Sequence, residues 1–250
     1  MKRILLLLLL GWMANTLKSQ TYTTAQAHSH NDYEQAKPFY LAYTENYGSI
    51  EADIHLVNGL LLVGHDQKDL QPEKTLSALY LDPLNKQHPV TRPLQLLIDI
   101  KTEARPTLDT LLSVLKRYPL LIQNSRIKIV VSGNRPPEEA YTTYPAYVWF
   151  DGRLGREYSP QALSKIALLS ESIQKYTGLQ QAYPAEKRVD SIVSALISSA
   201  HAAGKPVRFW ATPDTPEAWK QLIDLRVDYI NTDHIVALRD FLLSLVGPAK

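Results

Sequence analysis

The amino-acid sequence predicts an α/β fold, namely a (β/α)8 barrel of the TIM type in which one or two helices are missing or shortened. Three observations lead to this prediction. Eight short, β-rich apolar runs alternate with segments of helical periodicity, which is the pattern of a parallel sheet. The chain has 250 residues, about the length of a single barrel of this type. Polar side chains recur where the apolar runs end, and such barrels carry their chemistry at the C-terminal ends of their strands.

The first 20 residues have the composition of an export signal. A basic start is followed by a ten-residue apolar run at 4–13 and then by a short polar stretch. Ten apolar residues are too few to cross a bilayer, which takes about 20, and leucine on every face does not suit the alternative, a buried N-terminal helix. We therefore predict a signal peptide at 1–20 and one barrel domain at 21–250. The mature protein is expected to be soluble and exported, either to the periplasm or out of the cell.

The composition of the chain excludes several classes of function. Hydrophobic residues make up 45% of the chain and charged residues 21%, as in globular proteins with a substantial core. The net charge of only +2 argues against nucleic acid or another polyanion as a partner of the whole fold. Because the chain has no cysteine, disulfides and thiol chemistry are excluded, and any bound metal must have oxygen or nitrogen ligands.

The predicted elements follow one another without an internal repeat or a long linker. The eight predicted strands lie at 24–28, 49–56, 94–100, 126–132, 146–150, 166–172, 206–212 and 227–232. The five predicted helices lie at 36–47, 106–118, 185–203, 215–226 and 234–246. The connections after the fourth and fifth strands are short, so helices are expected to be missing or shortened there. An open, doubly wound sheet is the alternative, although the sequence lacks the glycine-rich first turn that would support it.

Particular residues mark where these elements begin and end. Pro106 suits the first turn of the second helix. Gly204 followed by Pro206 ends the third helix, whose apolar residues recur with a spacing near 3.6. Asn58 and Gly59 predict a tight turn, so that the segment after the second strand would form an additional hairpin arm.

Two neighbouring strands carry acidic residues on what should be their inner face. Side chains two apart share one face of a strand, so Glu51, Asp53 and His55 point the same way. Asp99 alternates with apolar residues in the same manner on the third strand. Burying such carboxylates without a partner costs several kcal/mol, and a divalent cation would relieve their repulsion. Glu51, Asp53 and Asp99 therefore predict a site for a hard cation, Mg2+ or Ca2+, with a solvated strand face or a buried ion pair as the alternatives.

A spaced pattern of six residues runs through the first half of the chain. Its members are His28, Glu51, Asp53, His65, Asp99 and Lys101. This pattern resembles the PLC-like phosphodiesterase superfamily, which includes glycerophosphodiester phosphodiesterases, phosphatidylinositol-specific phospholipases C and sphingomyelinases D. The resemblance covers essentially the whole chain after the signal peptide, because the segment 226–233 is similar to the family's eighth strand. The motif HSHNDY at 28–33 is similar to a branch that includes the fungal altered-inheritance-of-mitochondria proteins.

Two departures from the family pattern concern the substrate. Ser29 stands where glycerophosphodiester phosphodiesterases have an arginine, and their E-N-T motif does not follow. Relative to those enzymes, an arginine phosphate clamp and one carboxylate metal ligand are therefore missing. Asn31 lies in the area where sphingomyelinases D have an asparagine, which widens the range of substrates that the resemblance implies.

The resemblance implies an exported, metal-dependent phosphoric diester hydrolase of lipid metabolism that acts on a glycerophosphodiester or a phospholipid-type substrate. His28 and His65 would be its general acid and base, because the ordinary pKa of histidine is about 6.5. His30 competes with His28 for this role, and His55 lies outside the shared pattern as a supporting or wall residue. The residues expected to bind the phosphate or the rest of the substrate are Lys101, Asn31, His30, Arg135 and Trp210.

The resemblance leaves the products and two other functions open. In related families the first nucleophile is often a neighbouring hydroxyl of the substrate, and the product would then be a cyclic phosphate. The expected partner is a small-molecule or lipid phosphodiester, not nucleic acid, with at most transient contact with a membrane surface. One alternative is another metal-dependent hydrolase, which the H-x-H at 28–30 suits but which would need further histidines after the fifth and sixth strands. The other is a non-catalytic, secreted lipid- or glycan-binding barrel.

Overall fold

The structure is a computed structural model that describes residues 21–177 and 187–246. The predicted signal peptide lies outside the described residues, so export and the boundary of the barrel domain stay predictions. Among the described residues, no helix combines the length and the hydrophobicity needed to span a bilayer.

The predicted barrel is confirmed by eight parallel strands in the described part of the chain. They are β1 (Ala27–Ser29), β2 (Ser49–Val57), β4 (Leu94–Ile100), β5 (Ile127–Gly133), β6 (Val148–Arg153), β7 (Ile166–Ser172), β8 (Val207–Trp210) and β9 (Ile230–Thr232). Their order in the sheet is β8-β7-β6-β5-β4-β2-β1-β9. A single bridge between Arg208 and Tyr229 links β8 to β9, so the sheet is nearly closed rather than open and doubly wound.

The predicted hairpin arm is also present. Strand β3 (Leu60–Val63) pairs antiparallel with the end of β2 and leaves the barrel wall. The turn between them contains Asn58 and Gly59, both with positive φ (49° and 79°), as a tight two-residue hairpin turn requires. The arm leads directly to the loop that carries His65.

Helices connect most of the strands, and the connections predicted to be short are short. The helices of the described residues are α1 (Tyr40–Thr44), α2 (Asp82–Lys86), α3 (Ala104–Leu115), α4 (Pro119–Ile122), α5 (Pro160–Ser164), α6 (Gln174–Thr177), α7 (Lys187–Ala202), α8 (Pro216–Asp224) and α9 (Ile235–Val246). After β5 there is only a 3-10 segment, Glu138–Thr143, and after β6 only the five-residue α5. The prediction of missing or shortened helices is therefore confirmed at these two connections.

The helix predicted at 36–47 is shorter than expected. The buried carboxylate of Asp32 accepts a hydrogen bond from the backbone N–H of Phe39 at 2.5 Å. Phe39 has a φ of 69°, outside the right-handed helical region, so the helix begins only at Tyr40. The contact between Asp32 and Phe39 therefore takes the place of the first turn of the predicted helix.

The barrel interior is apolar at the bottom and polar at the top. Beneath the site lies a small plug of buried side chains from three strands, namely Leu97, Val130, Ala167 and Leu168. The main core is separate and packs the outer face of the sheet against the helices. Because side chains alternate along a strand, the positions above the plug project into the mouth of the barrel, and these positions are polar.

Candidate active site

The three acidic residues predicted to bind a metal meet at the mouth of the barrel. Strands β2 and β4 pair in a register that sets Asp53 opposite Asp99, and Glu51 lies one inward position below Asp53. One carboxylate oxygen of each of Glu51, Asp53 and Asp99 lies within 4.8 Å of the others. All three line a cavity of about 240 Å³. The structure thus brings together the side chains that period-two alternation placed on one face.

The electrostatics of this cluster fit a divalent cation. Burial, followed by the charge of Glu51, raises the pKa of Asp99 to about 6. The same two causes raise the pKa of Asp53, although Lys101 lowers it in part through an Nζ–Oδ2 contact of 3.0 Å. The buried Oδ1 of Asp53 has no hydrogen-bond partner among the described residues. An unpartnered oxygen within a group of mutually repelling carboxylates suits an oxygen-binding hard cation such as Mg2+ or Ca2+.

One oxygen of Glu51 is occupied by two protein groups. Oε2 lies 2.5 Å from Nη1 of Arg208 and 2.7 Å from Nε2 of His28. Burial opposes ionisation of this carboxyl, but the Arg208 charge and the His28 hydrogen bond outweigh it and hold the pKa of Glu51 well below its ordinary value. Glu51 is therefore a carboxylate whose other oxygen, Oε1, is available for a cation.

His28 lies below the cavity rather than on its wall. Its side chain is fully buried, with Nδ1 2.7 Å from the hydroxyl of Ser49 and Nε2 against Glu51. The Ser49 hydroxyl in turn accepts a hydrogen bond from Gln95. Burial, and then the charge of Arg208, lower the pKa of His28 to about 4. The catalytic role predicted for His28 stays a prediction, while its contacts are those of a neutral residue that orients Glu51.

His30 is the histidine of the first motif that lines the cavity. Its Nδ1 lies 2.7 Å from Oδ1 of Asp233, which follows β9. Burial alone would lower the pKa of His30, but the hydrogen bond to Asp233 and the charges of Glu51 and Asp233 raise it above the ordinary value. A carboxylate that accepts the Nδ1–H leaves Nε2 as the proton-accepting nitrogen.

His65 lines the same cavity from the opposite direction, on the loop after the hairpin arm. Its side chain is 59% exposed, and its Nδ1 lies 3.3 Å from Asp66. The Nε2 of His55 lies 3.1 Å from the backbone carbonyl of His65. His55 is thus placed to donate to that carbonyl and to steady this loop, and its role as a supporting or wall residue stays a prediction.

The other predicted binding residues separate into two groups. Lys101 and Trp210 line the cavity, and the Lys101 ammonium lies between Asp53 and Asp99. Asn31 and Arg135 do not line it. The side-chain oxygen of Asn31 lies 2.7 Å from the hydroxyl of Tyr33, and Arg135 lines an adjoining cavity of about 390 Å³.

Among the side chains that contact Glu51 or Asp53, two were not predicted, Arg208 and Tyr33. Arg208 is buried in the middle of β8 and contacts Glu51 across the barrel. The signal for it was the alternation along β8, where Arg208 is flanked by the apolar residues Val207 and Phe209 and must point inward. Tyr33, the last residue of the HSHNDY motif, places its hydroxyl 2.8 Å from Oδ2 of Asp53.

Two family models match parts of the chain. The family model described as AIM6-like phosphodiesterase domain matches residues 17–92, which contain His30, Glu51, Asp53 and His65. The family model described as Glycerophosphoryl diester phosphodiesterase family matches residues 206–235, which span β8 and β9.

Curated relatives and a solved structure extend the likeness to most of the chain. Altered inheritance of mitochondria protein 6 of Eremothecium gossypii is 28% identical over 270 residues, which cover 86% of this chain and 69% of the relative. A homolog of that protein from Arthroderma benhamiae is 25% identical over 260 residues, which cover 86% and 82%. The crystal structure of a glycerophosphodiester phosphodiesterase from Parabacteroides distasonis superposes with a TM-score of 0.55 at 20% identity, covering 89% of this chain and 96% of that one, and shows the same fold. The chain is therefore similar in sequence to the AIM6-like proteins over most of its length, and it has the fold of a glycerophosphodiester phosphodiesterase barrel.

Proposed function

We propose that this protein is a metal-dependent phosphoric diester hydrolase that acts on a glycerophosphodiester or a phospholipid-type substrate. The observation that carries the proposal is a single cavity lined by three converging carboxylates and by two histidines from different parts of the chain. The phosphodiesterase family models support the reaction class. Metal dependence, substrate and location outside the cytoplasm are parts of the proposal.

The charge of the cavity suits a phosphodiester. Four carboxylates and three cationic side chains line it, which leaves a formal charge of −1 when the histidines are neutral. The acids are Glu51, Asp53, Asp99 and Asp151, and the cations are Lys101, Arg153 and Arg208. One divalent cation would change the sign to +1, which complements the single negative charge of a phosphodiester.

Each side chain has a role in this reaction. A divalent cation held by Glu51, Asp53 and Asp99 would polarise a phosphoryl oxygen. The Lys101 ammonium, fixed between Asp53 and Asp99, stabilises charge that develops on the phosphoryl group. His30, with Nδ1 held by Asp233, accepts the proton of the attacking hydroxyl at Nε2.

His65 completes the reaction by protonating the leaving oxygen from the rim of the cavity. The attacking hydroxyl belongs either to water or to a neighbouring position of the substrate, in which case a cyclic phosphate is released. A lipid substrate would require transient contact with a membrane surface.

Hydrolysis of bis-p-nitrophenyl phosphate and phosphorus NMR of a panel of glycerophosphodiesters test this function. The wild-type chain should release p-nitrophenol, EDTA should stop the release, and Mg2+ or Ca2+ should restore it. On the glycerophosphodiesters, whose alcohol leaving groups need a proton, His30→Ala and His65→Ala should each lower the rate by about 10²–10⁴-fold, as expected for loss of an acid–base group. A folded chain that cleaves none of the diesters with either cation would contradict the proposal and favour a binding protein.

A further inference from the structure

A second cavity lies at the opposite end of the barrel from the candidate active site. Its volume is about 790 Å³, and its walls are the residues that lead into or begin β1, β2, β4, β5 and β9. On β4 the inner positions run from Gln95 in this cavity, through Leu97 in the plug, to Asp99 at the candidate active site. The plug therefore lies between two separate cavities.

The charge of this second cavity is strongly positive. Arg92, Arg126 and Lys128 line it, and none of the described residues that line it is acidic, so its formal charge is +3. The ion pairs in the described part of the chain use other cations, so none of these three is neutralised by a carboxylate. The two ends of the barrel interior thus differ in the sign of their charge.

The alternation along β5 directs two of these cations towards the barrel axis. Lys128 lies two residues before Val130 of the plug, and Arg126 lies two residues before Lys128. The intervening Ile127 and Ile129 pack in the main core on the outer face of the sheet. The backbone carbonyl of Arg126 still accepts a hydrogen bond from β4, so the strand geometry extends to this residue. Both cations therefore belong to the inner face and lie at its open end.

Arg92 and Tyr229 add a fixed cation and a free donor. The guanidinium of Arg92 donates to the backbone carbonyls of Tyr47 at 2.7 Å and Tyr43 at 3.1 Å, which hold it in place without neutralising it. The ring of Tyr229 packs against the plug, and its hydroxyl makes no hydrogen bond to the described residues. Burial, and then the charge of Asp228, raise the pKa of Tyr229 to about 12, so this hydroxyl keeps its proton at neutral pH.

The accumulated positive charge suits a ligand with two negative charges. Lys205 lies close enough to Lys128 for that charge to add to the effect of burial and lower its pKa, so the cations of this region repel one another. A phosphomonoester carries about two negative charges at pH 7 and offers three acceptor oxygens, whereas a carboxylate or a phosphodiester carries one charge. Guanidinium and ammonium groups are the usual protein partners of phosphate.

We propose that Arg92, Arg126, Lys128 and Tyr229 form a binding site for a phosphomonoester dianion at the N-terminal end of the barrel. The proposal goes beyond the proposed function and does not depend on cleavage of a diester. A soluble phosphomonoester and a phosphatidate headgroup carry the same dianion. A concave cavity of this volume is typical of sites for small molecules and favours the soluble one.

Calorimetry with phenyl phosphate and methyl phenyl phosphate tests the site, because these ligands share an aromatic body and differ in charge. EDTA is present throughout, so that the candidate active site keeps its formal charge of −1 and repels both ligands. Phenyl phosphate should bind the wild type about tenfold more tightly than the diester. Arg126→Gln and Lys128→Gln should each weaken its binding by about tenfold, as for loss of a hydrogen bond between charged groups.

Two further variants separate the site from a general effect of charge. Tyr229→Phe keeps the ring against the plug and should still weaken phenyl phosphate binding several-fold, because only the donor is lost. Lys116→Gln, at an exposed lysine that follows α3, is the matched control and should bind as the wild type does. Arg126 and Lys128 are exposed, so their variants should keep the wild-type melting temperature, and Arg126→Gln with Tyr229→Phe decides the test if Lys128→Gln does not fold.

Three results would overturn the proposal. The first is a wild type that does not bind phenyl phosphate or binds both ligands equally. The second is unchanged affinity in Arg126→Gln and Lys128→Gln, which would place the anion elsewhere. The third is binding to phosphatidylcholine vesicles that contain phosphatidate without binding of phenyl phosphate, which would assign the basic residues to a membrane surface instead of a ligand cavity.

Discussion

The guanidinium of Arg208 and the carboxylate of Glu51 form a buried ion pair across the barrel, with 2.5 Å between Nη1 and Oε2. The pair joins β8 to β2, which lie 157 residues apart in sequence. It engages one oxygen of Glu51, and the Nε–H of Arg208 has no hydrogen-bond partner among the described residues. Breaking such a pair by removing one partner is expensive, typically about 3–5 kcal/mol, because the remaining charge stays buried.

The pH dependence of hydrolysis should report on the His30–Asp233 contact. A base must be neutral, so the rate should rise with pH through the pKa of His30, which lies above its ordinary value. Asp233→Asn removes the negative charge that stabilises the imidazolium, so the rising limb should move to lower pH. The pH profile of kcat/KM measures this shift, and a limb that stays in place would show that another group titrates.

Replacing His28 should change the cation requirement of hydrolysis rather than its pH profile, which is the property expected to depend on His30. His28 contacts Glu51 and does not line the cavity, so His28→Gln should raise the cation concentration needed for half-maximal activity by about 10–100-fold, as for other groups that orient a metal ligand. The rising limb of the pH profile should persist. An unchanged cation requirement with loss of that limb would instead assign the acid–base role to His28, as the family pattern implied.

Above about pH 6, Asp99 should stabilise the chain only when a cation is present. The folded-state pKa of Asp99 is raised to about 6, so without metal its contribution to stability is complete below its unfolded-state pKa and is lost as the pH rises through about 6. In EDTA at pH 7.5, Asp99→Asn should therefore melt at a higher temperature than the wild type.

Adding Mg2+ or Ca2+ should reverse this order. A cation at 100 times its Kd stabilises the wild type by about 2.7 kcal/mol, a gain that Asp99→Asn should largely lose. Thermal melts with and without the cation measure both effects. The same order of melting temperatures under both conditions would contradict a cation site at Asp99.

The cation site should depend on the absence of a side chain at Gly133. It ends β5 with a φ of 66°, and a Cβ there would overlap Oδ1 of Asp99 and the backbone of Ile100. Gly133→Ala should therefore displace the Asp99 carboxylate and raise the cation requirement. Gly59 has a similar φ of 79° with open space around its Cβ position, so Gly59→Ala is the matched control.

Both glycine variants carry the backbone cost of a left-handed alanine, about 1–2 kcal/mol. Only Gly133→Ala should lose additional stability and cation affinity, which chemical denaturation and calorimetry with Ca2+ measure separately. Equal effects of the two substitutions would contradict the assignment of a positioning role to Gly133.

The sequence was enough to predict which side chains of the second and third predicted strands face inward, because side-chain direction alternates from one residue to the next along a strand. Glu51 and Asp53 on one strand and Asp99 on the next could be assigned to the inner face before any pairing was known. The pairing of Asp53 with Asp99 then follows from two neighbouring parallel strands. Arg208 obeys the same alternation and could have been found in the same way.

How deep each inward side chain lies along the barrel axis could not be predicted in this way. His28 and His30 are two residues apart, but His28 on β1 pairs with Ser49 below the acids, whereas His30, just after β1, reaches the cavity and Asp233. Arg135 was expected at the site because it follows the fourth predicted strand. The left-handed backbone of Gly133 interrupts the alternation there, and Arg135 lines the adjoining cavity.

The sequence by itself determined the barrel, the inward face of each strand and the acidic cluster, because strand period, apolar patterning and charge repulsion act over a few residues. Only the tertiary structure decided which histidine reaches the cavity, which arginine meets Glu51 and which acid keeps a free oxygen. Those outcomes depend on the stagger of strands far apart in the chain, and that stagger is set when the sheet closes.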